Sequence, residues 1–235
     1  EKVETHSSGS EVNLSAQTEA FEITGGAAVD KITGGEGADT INAGDGNDEI
    51  TVAAAGKANS DTMDGEAGSG DVLKLSTGAH TFGDDDKLKN IEKVETHSSG
   101  SEVNLSAQTE AFEITGGAGN DIITGGKSID TINAGDGTDT ITGGKGNDII
   151  TGGAGVDTFK VDKDTDTIKD LSASDILVVS SGATANATIS ASYTATNATK
   201  NDGTVNLTIG TADLSTDLSL ASGSAGFNIT GSSGA

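Results

Sequence analysis

The sequence predicts an all-β chain wound as a stack of short strands, with a small β-rich extension at its C-terminal end. Three observations carry that prediction. Residues 1–27 recur without change at 92–118, so the chain holds two copies of one module. Inside each copy a nine-residue period of Gly, Asp and one large apolar residue repeats, which is the mark of a solenoid. The composition, with 35 Gly, no Pro, Cys or Trp and 32% hydrophobic residues, is too poor in large apolar side chains for an ordinary globular core.

The elements follow in order. Residues 1–24 place Val3, Val12, Leu14, Phe21 and Ile23 roughly nine apart without a Gly-Asp turn, and predict rungs of the stack that lack metal. Residues 25–51 hold three nonapeptides, GGAAVDKIT, GGEGADTIN and AGDGNDEIT. Residues 52–91 leave that register. There Asp71, in DGEAGSGDVLKL from Asp64, reads as a stretched ninth unit, and Asp84-Asp85-Asp86 as a solvated acidic loop. Residues 92–115 repeat the first rungs with Val94, Val103, Leu105, Phe112 and Ile114. Residues 116–160 hold five more nonapeptides: GGAGNDIIT, GGKSIDTIN, AGDGTDTIT, GGKGNDIIT and GGAGVDTFK. Residues 184–220 are Thr-rich, and TISASY and TVNLTI alternate around Asn201-Asp202-Gly203, which predicts an antiparallel hairpin. FNITGSSGA closes the chain as the start of a further repeat. The expected organisation is a first module over 1–91 with repeats at 25–51, a second over 92–183 with repeats at 116–160 and a cap, and a Thr-rich β segment over 184–235. NIEKVE at 90–95 has its counterpart only from Glu1 onward, so the chain is expected to be a slice of a longer protein.

In all eight nonapeptides the second position is Gly, the sixth is Asp and the eighth is Ile or Phe. The glycines permit a tight turn with carbonyl oxygens pointing inward. The last three residues are strand-like, with one apolar side chain between polar neighbours. Two nonapeptides make one coil of turn, strand, turn, strand, and successive coils stack at roughly 4.8 Å. Residues eighteen apart then lie one above another. Ile32, Ile41, Ile50, Ile123, Ile132, Ile141, Ile150 and Phe159 point inward. Asp30 falls over Asp48. Asp121, Asp139 and Asp157 form one column, and Asp130 and Asp148 form the opposite one. Turn carbonyls with Asp carboxylates are the hard-oxygen set that calcium takes, six to eight ligands at about 2.3–2.6 Å. Softer metals are disfavoured, since neither His nor Cys takes part.

The pattern GGxGxDxUx, with U a large apolar residue, resembles the RTX, or haemolysin-type, calcium-binding nonapeptide repeat family. The resemblance implies a calcium-binding parallel β-roll or β-helix, with Ca2+ between stacked turns along each edge. It implies sites at Asp30 with Asp48, Asp121 with Asp139, Asp139 with Asp157, and Asp130 with Asp148. Asp39 holds the same sixth position, and Asp71 joins as the stretched unit. Asp45 and Asp136, at the third position, are either extra ligands or charge alone. Ala28 and Ser128 replace Gly at the fourth position, where a side chain strains the turns near Asp30 and Asp130. TFKVDKDTDTIKDLSASDILVV, residues 158–179, resembles the segment that caps RTX arrays. Asp166, Asp170 and Asp175 there are read equally as ligands or as turn residues.

The charge decides what else is excluded. With 13 Lys, no Arg and 37 acidic residues the net charge is −24. Such a surface repels nucleic acid and anionic membranes. No apolar run is long enough to span a bilayer, and without Cys there is no disulfide framework, zinc-thiolate site or cysteine nucleophile. A flexible acidic linker is disfavoured, because linkers do not keep Ile at every eighth position. His6, His80 and His97 read as surface residues, and nothing singles out a catalytic constellation, so no enzyme activity is expected. Stacked Asp repel until a cation neutralises them. The chain is therefore expected to be unfolded at cytosolic calcium and folded outside the cell. NIEKV at Asn90–Val94 and the Thr-rich, Cys-free β segments further resemble RTX-containing surface-layer (S-layer) proteins of Gram-negative bacteria. That implies a secreted structural segment, self-associating into a lattice or filament, exported by type I secretion, with room for cell-surface polysaccharide binding through another part of the protein. The alternative is a calcium-responsive secretion and folding module of an adhesin or exoenzyme.

Overall fold

The computed structural model describes residues 1–53, 60–173, 175–211 and 214–231. Its strands are short and alternate between two faces. Lys2–Glu4, Glu22–Thr24, Thr40–Asn42, Thr62–Asp64 and Leu88–Lys89 form a five-stranded sheet. The strands between them, beginning Glu11–Asn13, Lys31–Thr33 and Glu49–Val52, form a 13-stranded sheet that runs on to Phe227–Thr230. A seven-stranded sheet starts at Gly78–Thr81 and continues through Ser101–Asn104 to Lys200–Asn201. The change from the five- to the seven-stranded sheet falls at residues 78–89, around a single 3-10 turn, Asp85–Lys87. Pairing in all three sheets is parallel, for example Ile32 with Ile50 and Ile123 with Ile141. A parallel solenoid follows from the sequence because each turn is too long for a tight hairpin and each strand too short to bury its apolar residue without a neighbour.

The register advances by 18 residues within the arrays. Between them the coils lengthen to 22 and 23 residues, while the strands on either side stay paired. One column of apolar side chains therefore passes unbroken from copy to copy: Ile32, Ile50, Leu73, Val94, Ile114, Ile132, Ile150 and Ile168 are paired in that order. The inward residues of the nonapeptides are all buried, none more than 1% exposed. Removing one large apolar side chain from such a thin core costs about 2–5 kcal/mol.

Three expectations are corrected. The Thr-rich segment is not an antiparallel hairpin. Thr184–Thr194 and Thr204–Ile209 pair in parallel, Thr184 with Thr204 and Ile189 with Ile209. Between them the chain crosses over to pair Val178 and Val179 with Lys200 and Asn201. Asn201 fixes the turn back, its Nδ2 donating to Gly226 O at 2.6 Å and its Oδ1 accepting from Gly203 N at 3.0 Å. Alternation is the same in a hairpin and in consecutive rungs, so the pattern could not separate them. Residues 158–179 do not close the sheets either. Thr158–Val161 and Ile176–Val179 extend the seven-stranded sheet, and Thr165–Ala173 extends the 13-stranded one. His80, expected at the surface, is fully buried, with Nε2 2.9 Å from the Ser76 carbonyl. His6 and His97 are exposed.

Candidate metal sites

Each nonapeptide Asp sits immediately before its strand, where the turn ends. The period of 18 brings every second one into line. Along the edge leading into the 13-stranded sheet stand Asp30, Asp48 and Asp71, and further along Asp130, Asp148 and Asp166. Along the other edge stand Asp39 and Asp61, then Asp121, Asp139, Asp157 and Asp175. All twelve are buried, none more than 3% exposed.

The columns are built by one repeated hydrogen bond. Within the arrays the backbone N–H of one Asp donates to Oδ1 of the Asp one coil further on: Asp30 to Asp48 at 2.7 Å, Asp121 to Asp139 at 2.8 Å, Asp130 to Asp148 at 2.8 Å and Asp139 to Asp157 at 3.0 Å. The second oxygen can turn back to its own loop. Asp30, Asp39 and Asp130 each accept with Oδ2 from a glycine N–H four residues earlier, at 2.6, 2.8 and 2.7 Å. The loop glycines are needed there. Gly44 has φ 102°, and a Cβ on it would strike the Gly26 carbonyl.

Charge is not balanced within these columns. Lysine ion pairs lie on the outer faces, such as Lys74 with Glu49 at 2.7 Å and Lys93 with Glu113 at 3.2 Å. Oxygens are left without a partner at Asp30 (Oδ1), Asp48, Asp71, Asp139 and Asp148 (Oδ2 in each). Burial, reinforced by the neighbouring carboxylate, pushes Asp130, Asp148 and Asp157 up to about 6 and Asp166 up to about 7. Asp139 and Asp48 are raised for the same reason. A buried acceptor with no donor, next to a second carboxylate, is costly unless a cation completes it.

The donor set fits calcium. Among the described residues no three His, Cys, Asp or Glu side chains converge. Carboxylates come in stacked pairs, with turn carbonyls beside them. The space a Cβ on Gly25 would fill is bounded by the Ala43 carbonyl and Asp30 Oδ2, and the same point at Gly125 by the Gly143 carbonyl and Asp130 Oδ2. Hard oxygens mixed in this way are what calcium accepts.

Of the residues singled out in the sequence, Asp30, Asp39, Asp48, Asp71, Asp121, Asp130, Asp139, Asp148 and Asp157 are brought into the two columns. Asp45 and Asp136 are not. They lie exposed at the turn tips, from where their charge raises Asp48 and Asp139 without joining them. Asp61 was missed. It carries the D-x-U half of the motif, as Asp61-Thr62-Met63, but Lys57 and Asn59 stand where the second- and fourth-position glycines would be. Asp166 and Asp175, read equally as turn residues, extend both columns of the second array by one coil. Asp170 instead caps a turn, accepting from Gly152 N at 2.9 Å and Gly153 N at 2.8 Å.

Residues 22–53, 113–132 and 133–168 match the family model of the RTX calcium-binding nonapeptide repeat, over less than half of the chain. These segments are RTX repeats, and the repeats imply calcium binding. Searches of curated proteins and of solved structures found no match.

Proposed function

We propose that this chain is a structural segment of a secreted bacterial surface-layer protein, folded by calcium outside the cell and self-associating into a lattice or filament. The observation that carries the calcium part is the pair of buried aspartate columns with unpartnered oxygens. Asp30 with Asp48, Asp121 with Asp139, Asp139 with Asp157 and Asp130 with Asp148 hold the ions, aided by turn carbonyls, and Asp39 and Asp71 extend the series. Bound calcium supplies the positive charge that lets stacked carboxylates stay ionised. Without it, repulsion and unmet hydrogen bonds oppose the coils, and one buried Ile per strand does not offset the ordering of eighteen residues. At a tenfold excess over Kd each site contributes about 1.4 kcal/mol, so several sites act together as a switch.

RTX repeats are typical of secreted proteins of Gram-negative bacteria, and among the described residues no helix is long and apolar enough to cross a membrane. The surface-layer reading is supported by the unchanged duplication of residues 1–27 at 92–118, which suits an extended scaffold better than a unique active site. Far-UV circular dichroism of the 235-residue chain tests the first half: β signal rises on calcium addition and is lost in EDTA. Equal signal in both sinks it. Electron microscopy tests the second half. Ordered arrays formed with calcium support the scaffold, and dispersed particles at every calcium concentration favour a folding module of a larger adhesin or exoenzyme.

A further inference from the structure

The edge column does not stop at the last RTX turn of the first array. Asp48 N–H donates to Asp71 Oδ1 at 2.6 Å, and Asp71 N–H donates in turn to Glu92 Oε2 at 2.9 Å. Asp71 lies outside the residues that match the RTX repeat, and Glu92 is the second copy's counterpart of Glu1. The link from Asp71 to Glu92 therefore joins the two copies.

The turns on either side stack closely. Lys93 N–H donates to Asp71 O at 3.0 Å, and Gly65 N–H to Lys89 O at 2.9 Å. Asn90 stands in the left-handed region with φ 50°, held there by its Nδ2 donating to Asp64 Oδ1 at 2.7 Å. The Asn90 carbonyl consequently faces the Gly65–Asp71 loop. A Cβ on Gly65 would strike that carbonyl and lie 2.8 Å from Asp71 Oδ2. This is the arrangement found in the nonapeptides, where the same point on Gly25 meets the Ala43 carbonyl and lies 3.0 Å from Asp30 Oδ2. Asp71 is fully buried, and its Oδ2 has no hydrogen-bond partner. The unmet Asp71 Oδ2 thus lies beside the Asn90 carbonyl, and the Glu92 carboxylate sits over the Asp71 N–H.

We propose that Asp71, Glu92 and the Asn90 carbonyl form a calcium site between the two sequence copies, built without a nonapeptide on its upper side. It rests on the calcium reading above, and it makes the joint between the copies calcium-dependent. A rung lacking the Gly-Asp turn can then still take part in an ion site if it places one carbonyl and one acid over an Asp turn.

Hydrogen exchange of the full chain in saturating calcium and in EDTA tests this. Amides of 64–71 and 89–93 are expected to slow with calcium, together with those of 121–166. If 121–166 slow and 64–71 with 89–93 do not, the joint site is overturned while the array sites stand. If no segment slows, the calcium reading itself fails. Glu92→Gln keeps an acceptor for Asp71 N–H but removes the charge. Native mass spectrometry of that variant is expected to count one calcium fewer than the parent, and an equal count overturns the proposal.

Discussion

Residues 1–27 and 92–118 are the same sequence in two places, and they differ in burial. Their local structure is shared. His6 Nδ1 lies 3.0 Å from Ser8 Oγ, and His97 Nδ1 lies 2.8 Å from Ser99 Oγ. Ser15 N–H donates to Asn13 Oδ1 at 3.1 Å, and Ser106 N–H to Asn104 Oδ1 at 3.0 Å. Yet Val94, Leu105 and Gln108 are fully buried, whereas Val3 and Leu14 are half-buried and Gln17 is exposed. The difference is the neighbour beneath. Val94 is paired with Leu73 on one side and Ile114 on the other, while Val3 is paired only with Ile23. Gln108 reaches down to the Phe82 and Asp84 carbonyls, at 3.0 and 2.9 Å. Turns and strands are thus local properties of the segment, whereas burial comes from what it is stacked on.

The largest expected effect comes from charge rather than from apolar contact. Asp71, Asp130, Asp148 and Asp157 are raised to about 6 and Asp166 to about 7, against 3.8 unperturbed. The metal-free coil therefore binds more protons than the unfolded chain between about pH 4 and 7. Its stability rises as pH falls through that window and is lost as the carboxylates ionise above it. In EDTA, β signal by circular dichroism is expected to be higher at pH 5 than at pH 8, and calcium affinity, in competition with protons, to be lower at pH 5 than at pH 8. A metal-free signal that rises with pH would overturn this.

Next comes the apolar contrast between the copies. Leu105→Ala should destabilise the calcium-loaded chain by about 2–5 kcal/mol, and Leu14→Ala by less than half as much, measured by urea unfolding. Equal costs would mean that the copies are equally stacked in solution. Gln108→Ala strips the Phe82 and Asp84 carbonyls of their donor and should cost about 1–3 kcal/mol, against a negligible change for Gln17→Ala. The smallest contrast is at the outer ion pairs. Lys2 meets Glu22 and Lys93 meets Glu113 in equivalent exposed positions, so replacing either Lys by Ala should leave the urea midpoint nearly unchanged. A larger loss at Lys93 would point instead to its place beside the joint at Glu92.

Much of this was legible beforehand. Gly at the second position, Asp at the sixth and Ile or Phe at the eighth fix the turn, the acid and the inward residue of every nonapeptide, because a strict period turns sequence distance into height along the stack. Asp61 was hidden because its unit keeps the strand half of the motif and replaces the second- and fourth-position glycines by Lys57 and Asn59. His80 was hidden because one His in a polar stretch carries no sign of which way it faces. The parallel pairing of Thr184–Thr194 with Thr204–Ile209 was hidden because apolar alternation records which face a residue takes, not the direction of its partner strand.

The sequence by itself determined the repeating unit, its two edges and the acidic columns, since each depends only on residue type and a spacing of eighteen. Only the tertiary structure decided which rungs cover which. Coils of 22 and 23 residues still pair Ile41 with Met63 and Ile50 with Leu73, and this sets Glu92 over Asp71 across a gap that no fixed period could bridge. Loop length is cheap to vary while strand pairing is not, so the stack holds its register where the sequence does not.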